Sequence, residues 1–346
     1  MRLLFTVVHF FRGGAKGLRN YGSMGKDPSA RALALARCIS AVHEHFGGAQ
    51  YSLEHGLRQG VPANEALRHK VDVVVCTVKD MHLIDRLKMP AGTFEHRVTD
   101  ADPRLLGYEC HAVLRERLGS YDYYCFLEDD LVIHDPLLFT KLNWFNQVTP
   151  KEDLLQPNRF EIDFHSDVHK VYVDGDLPPR ATARFQKPAE RPEIKATVLG
   201  QLLTFRRTFN PHSGAFFLSE AQMRLWAEKP YFLDRSAEFI GPPESAATLG
   251  IMRTFRIYKP ALPNAAFLEL QHCGSSYLCL LGKQVPIAGQ AAASAAGKKP
   301  AASTAPAAPA RKPAVPPPAR SSAPKKKDSG VDVESAVEEG LRDFGL

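Results

Sequence analysis

Residues 121–136 read YDYYCFLEDDLVIHDP, an aromatic and apolar run that leads into three consecutive acids. The apolar part predicts a buried strand, and ligands of open α/β sheets bind beyond the carboxyl ends of the strands. The acids Glu128, Asp129 and Asp130 therefore lie where a ligand is expected. Because residues two apart on a strand face the same way, we expect Glu128 and Asp130 to address one ligand while Asp129 points elsewhere.

Three adjacent carboxylates repel one another unless a cation or hydrogen-bond donors neutralise them. Oxygen ligands favour a hard divalent ion such as Mg²⁺ or Mn²⁺, which is commonly bound through one or two carboxylates together with substrate phosphates. The acidic triplet therefore predicts a cation site at the strand end. The alternative is an acidic turn that caps the strand.

The first half of the chain alternates strand-like and helix-like patterns. Residues 3–11 and 71–78 are near-continuous apolar runs, typical of strands buried on both faces of a parallel sheet. Residues 28–46 and 103–118 have the apolar spacing of helices. Four residues form the apolar face predicted for the first helix: Leu33, Ala36, Ile39 and Val42. This alternation indicates right-handed crossover units and an α/β, Rossmann-like fold.

The second half is more mixed, with paired strand-like pieces and helices near 220–228 and 244–252. Residues 177–193 are rich in Pro and Arg and predict a long surface loop. We therefore expect one folded body, residues 1–289, whose central sheet is mostly parallel and whose C-terminal half is mixed.

The composition changes at about residue 290. Residues 290–330 are rich in Ala, Pro, Ser and Lys, which predicts a disordered linker because such a segment buries too little apolar surface to offset the entropy of ordering. Residues 331–346 have the apolar spacing of a short amphipathic helix, carried by Val333, Val337, Leu341 and Phe344. We interpret this helix either as a docking element for a protein partner or as an end without one.

Composition also bears on partners and location. About half of the formal net charge of +6 lies in the tail from residue 290, so the body is only mildly basic and no nucleic-acid partner is predicted. The six cysteines include no Cys-x-x-Cys pair. No apolar run reaches the ~18 residues that a membrane span needs. We expect a cytoplasmic protein without a transmembrane span, with peripheral attachment to the cytoplasmic face of a membrane as the alternative.

Residues 106–136, LGYECHAVLRERLGSYDYYCFLEDDLVIHDP, resemble the GT-A superfamily of nucleotide-sugar-dependent glycosyltransferases. The shared features are a Gly-containing helix, a small loop and an apolar strand that ends in an acidic motif. In that family the motif is Asp-x-Asp, so Asp130 stands at the last position, and Glu128, at the first, is a departure. The resemblance implies a GT-A fold and a metal site of Asp130, Glu128 and a late histidine, His272. The alternative for His272 is a partly buried ring hydrogen-bonded to the backbone.

The same resemblance implies an activity. It is the metal-dependent transfer of a sugar from a nucleotide-diphosphate sugar to a hydroxyl of a saccharide, lipid-linked or other acceptor, with Mn²⁺ or Mg²⁺ as cofactor. Glu244, in the first turn of a predicted helix, stands where the family often places its catalytic carboxylate, and Asp234 and Glu238 are reserve candidates. The alternative for Glu244 is stabilisation of the helix dipole.

Several further residues stand where the family binds its donor. His212, Ser213 and Gly214 precede an apolar strand and are expected to line the donor sugar. The nucleotide and its ribose or diphosphate are expected near a larger set: His9, Arg12, Asp80, Glu128 and Asp129, with Arg19, Lys26, Asp100 and Asp102 as weaker candidates by position.

Two rival functions remain open from the sequence. One is a nucleotidyltransferase or another phosphoryl-transfer enzyme that uses the same acids, although no GxxxxGK[ST] loop follows the first strand. The other is a non-catalytic adaptor that binds a nucleotide or saccharide and recruits a partner through its C-terminal helix.

Overall fold

The computed structural model describes residues 1–13 and 27–288. Its strands are, in chain order, β1 (Arg2–Val8), β2 (Tyr51–Glu54), β3 (Gln59–Pro62), β4 (Lys70–Val78), β5 (Glu95–Thr99), β6 (Tyr123–Glu128), β7 (Leu131–Val132), β8 (Asp153–Leu155), β9 (Asn158–Ile162), β10 (Lys170–Tyr172), β11 (Glu193–Val198), β12 (Gln201–Arg207), β13 (Ala215–Ser219), β14 (Arg256–Pro260) and β15 (Glu269–His272). Its α-helices are α1 (Pro28–Phe46), α2 (Leu106–Glu116), α3 (Leu138–Val148), α4 (Glu220–Ala227) and α5 (Pro242–Thr254). The linker and the amphipathic helix expected from residue 290 onward lie outside the described residues.

The central sheet has five strands in the order β13-β6-β1-β4-β5. β1, β4, β5 and β6 are parallel, and β13 runs antiparallel to β6. The chain adds β4 and β5 on one side of β1 and then returns to place β6 on the other side. The crevice between the carboxyl ends of β1 and β6 is therefore a topological switch point, where ligands of open α/β sheets bind.

The sheet is covered on both faces because its strands are apolar at nearly every position. Alternate residues such as Phe5 and Cys125 pack in one apolar layer against α1 and α3. The intervening residues, such as Leu4 and Phe126, pack in a second layer against α2, α4 and α5. This arrangement confirms the mixed α/β architecture expected from the near-continuous apolar runs.

The first two helices follow the sequence with local differences. α1 has the predicted bounds, and the Asp27 side chain caps it by accepting hydrogen bonds from the backbone of Ser29 and Ala30. Its predicted apolar face is partly wrong, because Leu33 is 61% exposed while Leu35 is buried. The helix predicted over 103–118 begins as a 3₁₀ turn at Pro103–Leu105 before α2. α3 has no counterpart among the sequence predictions.

Two smaller four-stranded sheets flank the central one, in the orders β10-β9-β15-β7 and β11-β12-β14-β8. Both mix parallel and antiparallel pairs, as expected for the second half of the chain. The loop over 177–193 is not wholly on the surface: Thr182 is buried, and Gln186 donates a hydrogen bond to the carbonyl of Thr208. Among the described helices, none has the length and apolar character to cross a bilayer.

Candidate functional site

The acidic triplet lies at the switch point. Glu128 is the last residue of β6 and pairs in register with Val8, the last residue of β1. Asp129 and Asp130 form the turn into β7, which pairs with β15. That pairing brings the Nε2 atom of His272 to 3.7 Å from Oδ2 of Asp130. Two residues that are far apart in the sequence thus meet at one edge of the sheet, as the sequence interpretation expected.

Arg31 neutralises two of the three acids. It lies near the start of α1, which follows β1 and therefore begins at the same edge of the sheet. Its Nη1 donates to Oδ2 of Asp130 at 2.6 Å, and its Nη2 donates to Asp129. Burial by itself lowers the pKa of Arg31, but Asp129 and Asp130 raise it above its usual value. The guanidinium between these carboxylates is therefore always protonated.

Asp129 does not point away from its neighbours, which corrects the sequence expectation. Its carboxylate is buried and accepts from Nδ1 of His9 as well as from Arg31. The other ring nitrogen of His9 accepts from the backbone of Leu83 at 3.0 Å. Both nitrogens of His9 are thus engaged within the protein, so this residue fixes Asp129 and has no free ring nitrogen for a nucleotide.

Glu128 faces a second arginine. Nη1 of Arg159 lies 3.5 Å from Oε2 of Glu128, while its Nε and Nη2 donate to Asp174 at 3.0 and 2.8 Å. Lys259 also contacts Asp174, at 3.1 Å. Arg159 therefore bonds mainly to Asp174 and makes only one long contact with Glu128. The Glu128 carboxyl group is left incompletely neutralised.

That incomplete neutralisation changes the chemistry of Glu128. Burial raises its pKa to about 7, Arg159 opposes the rise, and the nearby carboxyl groups of Asp130 and Glu244 add to it. At neutral pH Glu128 is therefore divided between its protonated and ionised forms. A carboxyl group in this state exchanges protons readily near physiological pH.

Gly214 shapes the space around Glu128. Its φ angle is +59°, and a Cβ atom at this position would lie 2.4 Å from Oε2 of Glu128. Its carbonyl also accepts from the backbone N–H of Glu128 at 2.9 Å. Gly214 therefore fixes the backbone of Glu128 and leaves room for its side chain.

The side chains before Gly214 are engaged with the protein. Nδ1 of His212 lies 2.8 Å from Oγ1 of Thr248, and burial lowers the pKa of His212 well below its usual value. The Ser213 hydroxyl donates to the carbonyl of Pro157 at 2.8 Å. Both side chains are buried, so neither is directed at an open cleft where a donor sugar would lie.

Glu244 lies in the first turn of α5, as expected. Burial raises its pKa, and its Oε2 atom is buried without a hydrogen-bond partner in the described part of the chain. Its carboxyl group is also one of those that raise the pKa of Glu128. A desolvated carboxylate with an unused oxygen is a suitable proton acceptor.

His272 is anchored by a residue that the sequence interpretation did not identify. Its Nδ1 donates at 2.9 Å to Glu161, a fully buried carboxylate that also accepts from the backbone of Tyr277 and Leu278. Burial lowers the pKa of His272, but Glu161 and Asp130 raise it above its usual value overall. The ring is therefore bonded to a carboxylate, not to the backbone, and its Nε2 is turned towards Asp130.

A cation site can be tested against these residues. Over residues 1–13 and 27–288, no group of three or more His, Cys, Asp or Glu side chains is arranged to hold a metal ion. However, Oδ1 of Asp130 is buried and has no hydrogen-bond partner within those ranges, and His272 lies beside it. One carboxylate and one imidazole fit a Mg²⁺ or Mn²⁺ ion whose remaining ligands are phosphate oxygens and water.

The other nucleotide candidates, from both the main set and the weaker one, are scattered. Arg12 is exposed after β1, and Asp80 is exposed in a turn with φ of +54°. The remaining ones engage surface partners: Asp100 pairs with Lys79, and Asp102 caps a 3₁₀ turn and pairs with Arg104. Arg19 and Lys26 lie outside the described residues.

The reserve carboxylates are not part of the acid cluster. Asp234 is exposed and pairs with Arg253 at 2.9 Å, and Glu238 is exposed. Neither carboxylate pairs with the acidic triplet in the described part of the chain, so Glu244 is the better placed candidate for a base.

Five charged residues of this site were missed from the sequence: Arg31, Arg159, Glu161, Asp174 and Lys259. Arg31 could have been predicted from the sequence. The helix after β1 must begin at the carboxyl edge of the sheet, and Arg31 is a basic residue in its first turns. The other four belong to the second half of the chain, where nothing in the local pattern indicates which strands become neighbours.

No protein-family model matches the chain, and no curated protein sequence matches it significantly.

Proposed function

We propose that the protein is a metal-dependent glycosyltransferase of the GT-A superfamily that transfers a sugar from a nucleotide-diphosphate sugar to an acceptor hydroxyl. The observation that carries this proposal is the position of Asp130. It lies at the topological switch point, it has an unused buried oxygen, and His272 lies beside it. A site for a hard cation at the mouth of an α/β sheet suits a ligand that brings phosphate oxygens.

The strand order supports the same proposal. A sheet in which β4 and β5 lie on one side of β1, with β6 and the antiparallel β13 on the other, agrees with a Rossmann-like nucleotide-binding half followed by a mixed half. The acidic motif then lies at the end of β6, between the two halves.

The roles of the residues follow from their surroundings. Asp130 and His272 would hold the cation, and Glu161 keeps the His272 ring turned towards Asp130. A bound Mn²⁺ or Mg²⁺ would supply charge stabilisation for the departing nucleoside diphosphate. Arg159 and Asp174 form the buried support on the other side of Glu128.

Glu244 would accept the proton of the acceptor hydroxyl. Its raised pKa makes its carboxylate a stronger base than an exposed glutamate, and its Oε2 has no partner among the described residues that would have to be displaced. This role applies to an inverting reaction, since a retaining reaction does not require a base at this point.

The test is turnover of a panel of nucleotide sugars, with and without Mn²⁺. We expect release of the nucleoside diphosphate from at least one donor, dependent on the ion and abolished by Asp130→Asn with the circular dichroism spectrum retained. Release of pyrophosphate instead would support a nucleotidyltransferase. Tight binding of nucleotide sugars without turnover in the presence of a broad set of acceptors would support a non-catalytic adaptor.

A further inference from the structure

Arg31 already neutralises Asp130, the carboxylate on which the proposed cation site depends. Its guanidinium bridges Asp129 and Asp130, with a 2.6 Å bond to Oδ2 of Asp130, and its side chain is only 15% exposed. A guanidinium and a divalent ion that share one carboxylate repel each other strongly, because the surroundings are buried and weakly screened. In the free protein, the two cations therefore compete for Asp130.

The structure also indicates how Arg31 can leave Asp130. Asp129 keeps its hydrogen bond from His9 when the guanidinium moves, so that buried carboxylate is not left without a partner. The Nε atom of Arg31 is buried and has no hydrogen-bond partner in the described ranges. The group thus has an unused donor, and its planar fork matches the oxygens of a phosphate.

We propose that Arg31 is a diphosphate-binding residue that neutralises Asp130 in the free protein and releases it when a nucleoside diphosphate accepts its guanidinium. This inference rests on the proposed function. It assigns an order to the site: the divalent ion binds well only together with the diphosphate, because the phosphate oxygens both attract Arg31 away from Asp130 and complete the ligands of the ion.

Two binding measurements on the full chain test the inference independently of turnover. The first is the affinity for Mn²⁺ alone, measured from the electron paramagnetic resonance signal of the free ion. The second is the affinity for UDP and for GDP without metal, measured by calorimetry. Arg31→Gln should bind Mn²⁺ at least about tenfold more tightly than wild type, and should bind the preferred nucleotide at least about tenfold more weakly.

Two further variants make the test specific. Arg31→Lys keeps a charge but loses the fork, so it should still exclude Mn²⁺ while binding the nucleotide weakly. Arg37→Gln removes an exposed arginine from the same helix and should behave as wild type in both measurements. Circular dichroism checks that each variant is folded. If Arg31→Gln does not fold, the nucleotide and Mn²⁺ affinities of Arg31→Lys are compared with those of wild type instead.

Unchanged or weaker Mn²⁺ binding by Arg31→Gln would overturn the inference, as would unchanged nucleotide binding by both Arg31 variants. Failure of the proposed function is distinguishable, because it appears as absent sugar transfer in the donor panel. Donor turnover together with Mn²⁺ binding that is insensitive to Arg31 would leave the proposed function in place and remove the role of Arg31.

Discussion

Glu128→Gln should stabilise the folded protein at pH 8 and have little effect at pH 5. The wild-type side chain is only 21% exposed, and desolvation raises its pKa from 4.5 to about 7. Between these pH values the folded state keeps a proton that the unfolded chain has lost. The free energy of unfolding of wild type therefore falls as the pH rises through this window, and the full destabilisation is present above about pH 7.

The magnitude follows from the two pKa values. At about 1.4 kcal/mol for each pH unit between them, ionised Glu128 destabilises the folded state by about 3 kcal/mol. Glutamine has the same shape and cannot ionise, so it removes this term while keeping the close packing against Gly214. Arg159 is not left unpaired, because Asp174 still accepts two of its hydrogen bonds.

The assay is urea denaturation of both proteins at pH 5, 6, 7 and 8. We expect the difference in unfolding free energy, variant minus wild type, to increase by about 2 to 3 kcal/mol from the lowest to the highest pH, because part of the effect is already present at pH 5. Glu116→Gln, at an exposed glutamate paired with Arg97, is the control for removing a carboxyl group from the surface. A difference for Glu128→Gln that does not change with pH would refute the argument that burial governs this carboxyl group.

Three other outcomes are expected. Glu161→Gln should raise the Mn²⁺ concentration needed for half-maximal turnover by about tenfold, because the carboxylate that orients His272 is lost. If the variant has a lower Tm but the same metal titration as wild type, Glu161 has a structural role only. Gly214→Ala should lower the unfolding free energy by about 2 kcal/mol or more, because alanine is strained at φ of +59° and its Cβ would press against Glu128. Gly92→Ala is the control: at φ of +82° with open space around it, it should show only the backbone strain. Equal losses in the two variants would exclude a role for the contact with Glu128. Removal of residues 290–346 should leave Tm and turnover nearly unchanged, since a linker of this composition makes few packed contacts; a loss of more than a few degrees would contradict it.

The elements that could be predicted are those whose pattern is local. β1, β4 and β6 are continuous apolar runs, and α1 has a clear capping residue and helical spacing. The error on the face of α1 has a simple cause: Leu33 fits the same helical spacing as Ile39, and only the position of the sheet decides which stripe is buried. α3 was missed although Leu138, Leu142 and Phe145 recur at helical spacing and are buried.

The sequence by itself determined that a strand ends in Glu128, Asp129 and Asp130, and that this strand belongs to an α/β sheet whose ligands bind at that edge. Only the tertiary structure decided which cations face these acids. Arg31, Arg159 and His272 come from three distant segments, and hydrogen bonds and ion pairs between distant segments leave no periodic trace in the sequence. The residue types show which side chains carry charge. Whether each charge is neutralised depends on distances of a few ångströms between side chains, and these are set when the helices and sheets pack together.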